Sequence, residues 1–134
     1  MNIENFPLAW RWTSEAHVTL PPEILQGLYP LEAEIAKSLF SRAPKAFGSG
    51  AIIHQATEIV TTQKWLRNLP VTASKVTLVW NDKTALSMPW NTFLSYWSDF
   101  CYPSSDDVVI FLGEFQDLLF WHHYEVFEFK VGVL

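Results

Sequence analysis

The sequence predicts an α+β fold, with N-terminal helices packed on a mainly antiparallel β-sheet and one further helix, about 89–101, between strands. Three observations predict it. Apolar residues recur at helical spacing ahead of Pro70, the period changes to two from Lys75 onward, and the five glycines fall in neither GxGxxG nor GxxxxGK spacing. Helices first, then strands with one inserted helix, is the element order of an α+β domain whose sheet is covered on one face. The 134 residues, 49% hydrophobic and 16% aromatic, are enough for a single domain, 1–134, whose core needs neither disulfide nor metal.

The N-terminal arm carries Pro7, Trp10 and Trp12 without periodicity. Pro21 and Pro22 open a short helix, with Glu23 in its first turn and Gly27 near its end. Pro30 starts a second, in which Leu31, Ile35 and Leu39 recur every fourth residue and Ala36 and Phe40 widen the stripe expected to face the core. Pro44 limits it, and Gly48-Ser49-Gly50 marks a loop. Residues 51–69 allow two readings, a helix over 57–69 or a shorter one capped by Thr61 or Thr62, ended in both cases by Pro70. Val76, Leu78 and Trp80 share a strand face, Asn81-Asp82-Lys83 turns the chain, and Leu86 and Met88 return as the second arm of a hairpin. Pro89 opens the best-defined helix, in which Trp90, Phe93, Leu94, Trp97, Phe100 and Cys101 share one side, and Pro103 ends it. Val108–Leu112 is apolar on both faces, as a central strand is, and Leu118–His122 nearly so, with residues 113–117 as the loop between them. Glu125–Val131 alternates, as a half-exposed edge strand does, and offers a route to a homo-oligomer.

Charge is unevenly distributed. Met1 to Lys83 holds eight Lys or Arg against seven acids, whereas Thr84 to Phe129 holds no Lys or Arg and seven acids, within a formal net charge of −5. Such a segment repels phosphates, which argues against nucleic acid, and attracts a cationic partner. The plainer reading is that these acids keep an aromatic-rich half of the chain in solution. The N-terminus has Glu4 ahead of any basic residue and Pro7 inside its only apolar stretch, unlike a signal peptide, and no apolar run approaches the roughly 20 residues of a membrane span. A cytoplasmic protein is expected, and a single cysteine fits a reducing compartment.

No catalytic motif stands out. His122 and His123 are adjacent, so on a strand they point to opposite faces, and with His17 and His54 they show no metal-ligand spacing; no metal or cofactor is expected. Cys101 ends an apolar stripe among acids, which disfavours a thiolate. Trp10 and Trp12 flank Arg11 and either cap the domain or anchor an interface. Asp106 and Asp107 follow a turn-rich Tyr102-Pro103-Ser104-Ser105, where such side chains commonly close turns. The functional reading joins Asp99, Asp106, Asp107 and Glu125 into an anionic patch, on which an incoming Arg or Lys relieves carboxylate repulsion. The rival reading is a small enzyme or ligand-binding protein with an aromatic-lined pocket that uses His122 or His123 as acid or base.

The run Trp90-x-x-Phe93-x-x-x-Trp97-x-x-Phe100-x-Tyr102-Pro103-x-x-Asp106-Asp107-Val108, with the Glu125-Val126-Phe127 ending, resembles small uncharacterised bacterial α+β proteins of the toxin-immunity type, over roughly residues 75–131. The resemblance rests on aromatic spacing and carries no catalytic residue. It implies a cytosolic, non-catalytic protein that binds and neutralises a partner. Toxins that cut nucleic acids have cationic active sites, so an acidic inhibitor would be steered to them electrostatically.

Overall fold

Alternating side chains on seven strands build the sheet seen in the computed structural model, which describes residues 2–17, 19–44, 50–113 and 117–132. The strands are β1 (Tyr29–Pro30), β2 (Ile52–Gln55), β3 (Lys75–Asn81), β4 (Thr84–Pro89), β5 (Val108–Leu112), β6 (Asp117–His122) and β7 (Val126–Lys130). Their order is β1-β4-β3-β5-β6-β7-β2, and every pairing is antiparallel. The helices are α1 (Trp10–Thr13), α2 (Pro22–Leu25), α3 (Ala33–Arg42), α4 (Ile59–Arg67) and α5 (Trp90–Phe100), preceded by a 3-10 turn over Ile3–Asn5. The α+β class is therefore as the sequence predicts. No described helix is long and apolar enough to cross a membrane.

The sheet separates two apolar clusters. Its front face presents Leu78, Leu86, Ile110, Leu119, Trp121 and Phe127 to α5, α4 and the N-terminal arm. Trp12 is fully buried there, its ring 5.2 Å from that of Phe100 and 5.9 Å from that of Phe6. Its indole N–H, which needs an acceptor once buried, donates to the Asp99 carbonyl at 2.7 Å. The arm thus caps the core through Trp12, while Trp10 stays half exposed. On the back face Val79, Ala85, Val109, Phe111 and Leu118 meet Ala36 and Leu39 of α3. Helices cover both faces, so the expectation of one covered face is corrected. All five residues of β5 are buried, as befits a strand enclosed on both sides.

Pro30 opens no helix. It pairs with Leu86 in β1, at an edge where its missing N–H costs nothing, and α3 begins only at Ala33. The apolar stripe of α3 is correspondingly narrow: Ala36 and Leu39 are buried, but Ile35 and Phe40 remain 49% and 44% exposed. In the ambiguous 51–69 segment the chain first forms β2 and then α4, entered at Glu58 rather than at Thr61 or Thr62. β2 pairs with β7 from Ile52↔Phe129 to Gln55↔Val126, so the C-terminal strand is an inner strand and not the edge expected of it. That removes the structural basis for a homo-oligomer built on it. Most of the Gly48-Ser49-Gly50 loop and of the 113–117 loop lies outside the described residues.

Candidate partner-binding site at one end of the sheet

The loop leaving α5 and the turn joining β6 to β7 lie against each other. Ser104 N–H donates to the His123 carbonyl at 2.7 Å, the Trp121 indole donates to the Tyr102 carbonyl at 3.2 Å, and His123 N–H donates to Asp107 Oδ1 at 2.9 Å. These bonds draw Asp106, Asp107 and Glu125 to one end of the sheet, and Asp99 joins them as the last residue but one of α5. The four residues then separate by environment.

Asp106 is not part of an open surface, which corrects its expected role as a partner contact. It is 5% exposed and takes both terminal nitrogens of Arg11, itself 6% exposed, at 2.6 and 2.9 Å. It also accepts Tyr102 N–H at 3.0 Å and the Ser105 hydroxyl at 3.2 Å. Burial alone would raise its pKa, but the Arg11 bonds, the Tyr102 N–H and the Ser105 hydroxyl more than offset that and hold the carboxyl below the usual range. Arg11 is stacked with its guanidinium carbon 4.0 Å from the Tyr102 ring centroid and 5.5 Å from that of Trp10. Asp106 therefore ties the N-terminal arm to the sheet end.

The other three carboxylates remain within reach of solvent. Among the described residues Asp107, 54% exposed, bonds only His123, whose Nδ1 lies 3.0 Å from the oxygen that accepts its N–H. Burial would raise the Asp107 pKa, yet the two His123 bonds bring it below the usual value. Asp99 and Glu125 are half-buried, and among the described residues neither carboxylate has a hydrogen-bond or ion-pair partner. Desolvation raises the Asp99 pKa, and Asp99 lies close enough to Tyr102 to help raise that phenol in turn.

Glu125 has φ 66 and Ser104 has φ 71, the non-glycine residues in the left-handed region among those described. Both lie in the two segments that build this end. Glu125 also lines a groove of about 460 Å³ between the 56–59 segment and the end of α5. Trp97, Trp121, Tyr102 and Ile59 supply its apolar walls. Such a groove takes an apolar stem, with the carboxylate at hand for a cationic head.

His122 ends β6 on the back face, whereas His123 lies in the turn beyond the strand, so the strand alternation expected to set the two apart does not reach it. His122 stacks between Phe120 and Tyr124, at ring separations of 4.3 and 5.1 Å, with Nε2 2.8 Å from Glu128 Oε1. A groove of about 470 Å³ nearby is lined by Trp80, Asp107 and Phe120. Cys101 is buried, and desolvation, with Asp106 adding to it, pushes its thiol well above the ordinary value.

Sequence reasoning did not pair Arg11 with Asp106, 95 residues apart. The available signal was a lone arginine between two tryptophans in an aperiodic arm, which requires a counterion only if the arm packs it into the core. No protein-family model, curated protein or solved structure matches the chain, so function is argued from its own residues.

Proposed function

We propose that the protein is a non-catalytic, cytosolic binding protein whose acidic sheet end docks a basic protein, in the manner of an immunity protein that neutralises a cationic toxin. The observation that carries this reading is Glu125. It occupies a left-handed backbone position that glycine would hold with less strain, and its carboxylate, at a groove with aromatic walls, has no partner among the described residues. Local stability gives no reason for a glutamate there, whereas a cationic side chain seated in the groove does. Asp99, close enough to act on Tyr102 in the wall of the same groove, adds to its negative charge, and Arg11 is already committed to Asp106. Salt-sensitive, electrostatically steered association follows from that charge.

The test compares matrix-bound wild type with an Asp99→Asn/Glu125→Gln variant in native cell extract at low and high salt. The proposal expects wild type to retain a basic protein that salt releases and the variant to lose it. Equal retention by both, or a retained protein without basic character, contradicts it.

The second reading, a small enzyme or ligand-binding protein, is favoured by the His122–Glu128 and His123–Asp107 pairs beside the groove lined by Phe120 and Trp80. A ligand that shifts the His122 and His123 ring signals and leaves Glu125 unaffected would establish it in place of the first.

A further inference from the structure

We propose a second, independent site on the back face of the sheet, a groove for a small organic acid consisting of a carboxylate and a short apolar tail. The groove, of about 880 Å³, runs between α3 and the β3–β4 part of the sheet. Its floor is polar within an otherwise apolar sheet face. Thr77 and Ser87 are cross-strand partners, 6% and 3% exposed, with their hydroxyl oxygens 2.7 Å apart. Two hydroxyls bring two protons, and only one can lie between the oxygens. Among the described residues no acceptor takes the other. The hydroxyl that does not donate across the pair keeps its proton for an oxygen entering the groove.

Lys75 lies two residues before Thr77 on the same strand face and also lines the groove. Its ammonium is 5.5 Å from the Tyr29 ring centroid, and no carboxylate among the described residues pairs with it. Arg42 and Glu34 face the same space and offset each other in charge, which leaves Lys75 in excess. A carboxylate can therefore present one oxygen to the ammonium and one to the hydroxyl floor. On the α3 side the wall has an apolar strip of Leu31, Leu39 and the half-exposed Ile35, an isoleucine that the core does not use, beside the polar Ser38, Thr72 and Ser74. An apolar tail would cover it, which inorganic phosphate lacks.

The test is an NMR titration of the full chain with butanoate and hexanoate, with hexanol and inorganic phosphate as comparison probes. Saturable shifts at the Thr77 and Ser87 amides are expected with the two acids, with up to about fourfold tighter binding per added methylene. Lys75→Gln, at an exposed position, should weaken hexanoate about tenfold or more, and Ser87→Ala should weaken it as well. No saturable shift up to about 10 mM, equal binding of hexanol, phosphate binding as tight as hexanoate, or unchanged binding by Lys75→Gln would each overturn the proposal.

Discussion

Replacing Asp106 with Asn separates a structural carboxylate from a recognition carboxylate. The wild-type side chain bonds two Arg11 nitrogens, the Tyr102 N–H and the Ser105 hydroxyl, in a position 5% exposed. Asn keeps one accepting oxygen and no charge, so it cannot hold both arms of the guanidinium. Bonds to a charged group contribute about 1.5–3 kcal/mol, and a buried guanidinium left uncompensated brings the expected loss to about 3–5 kcal/mol. That is a large part of an ordinary domain's stability. Urea unfolding followed by tryptophan fluorescence reads it as a lower midpoint at unchanged slope. In the Arg11→Met/Asp106→Asn double variant no buried charge is stranded, so its loss should fall short of the summed single losses by about 2 kcal/mol or more. The pH dependence has a fixed sign. The folded-state pKa of Asp106 lies below its unfolded value, so its stabilisation is present above the ordinary carboxylate range and is lost as pH falls toward the folded value. The Asn variant should lose part of this acid-side decline. A loss under about 1 kcal/mol, or strict additivity in the double variant, would refute the assignment of Asp106 to structure.

Glu125→Gly relieves a left-handed backbone position and is expected to leave stability equal or up to about 1 kcal/mol higher while abolishing retention of a basic partner. Chemical denaturation and the retention assay check the two halves separately. Gly113→Ala places a Cβ 2.9 Å from the Ala73 Cβ at φ +67, and a loss of about 1–3 kcal/mol is expected in the same denaturation assay. Cys101, 1% exposed, should resist thiol reagents in the native state and react at a rate set by unfolding.

The hairpin from Lys75 and the helix after Pro89 were legible from their apolar spacing, and the central strand Val108–Leu112 from an unbroken apolar run that matches its burial on both faces. β2 was not, since Ile52 and Ile53 are 50% and 64% exposed and their apolar character reports no alternation of environment. Without β2, the last strand reads as an edge. Pro30 misled in a similar way, because proline suits both a helix start and an edge strand, and the choice depends on pairing with the distant Leu86. The stripe through Ile35 and Phe40 overstated the core because α3 covers only part of the back face. At the site, local sequence brings Asp106 and Asp107 together, but only tertiary contacts show that one meets Arg11 and the other His123.

The availability of Glu125 and Asp99 to a visiting cation is tested most directly by titrating the isotope-labelled protein with an arginine-rich peptide at low and moderate salt, read at every backbone amide. Saturable shifts gathered at Ser98 to Tyr102 and at Glu125, weakened by salt and lost in Asp99→Asn/Glu125→Gln, are the expected result. Shifts spread over the whole surface, or retained in that variant, would contradict it.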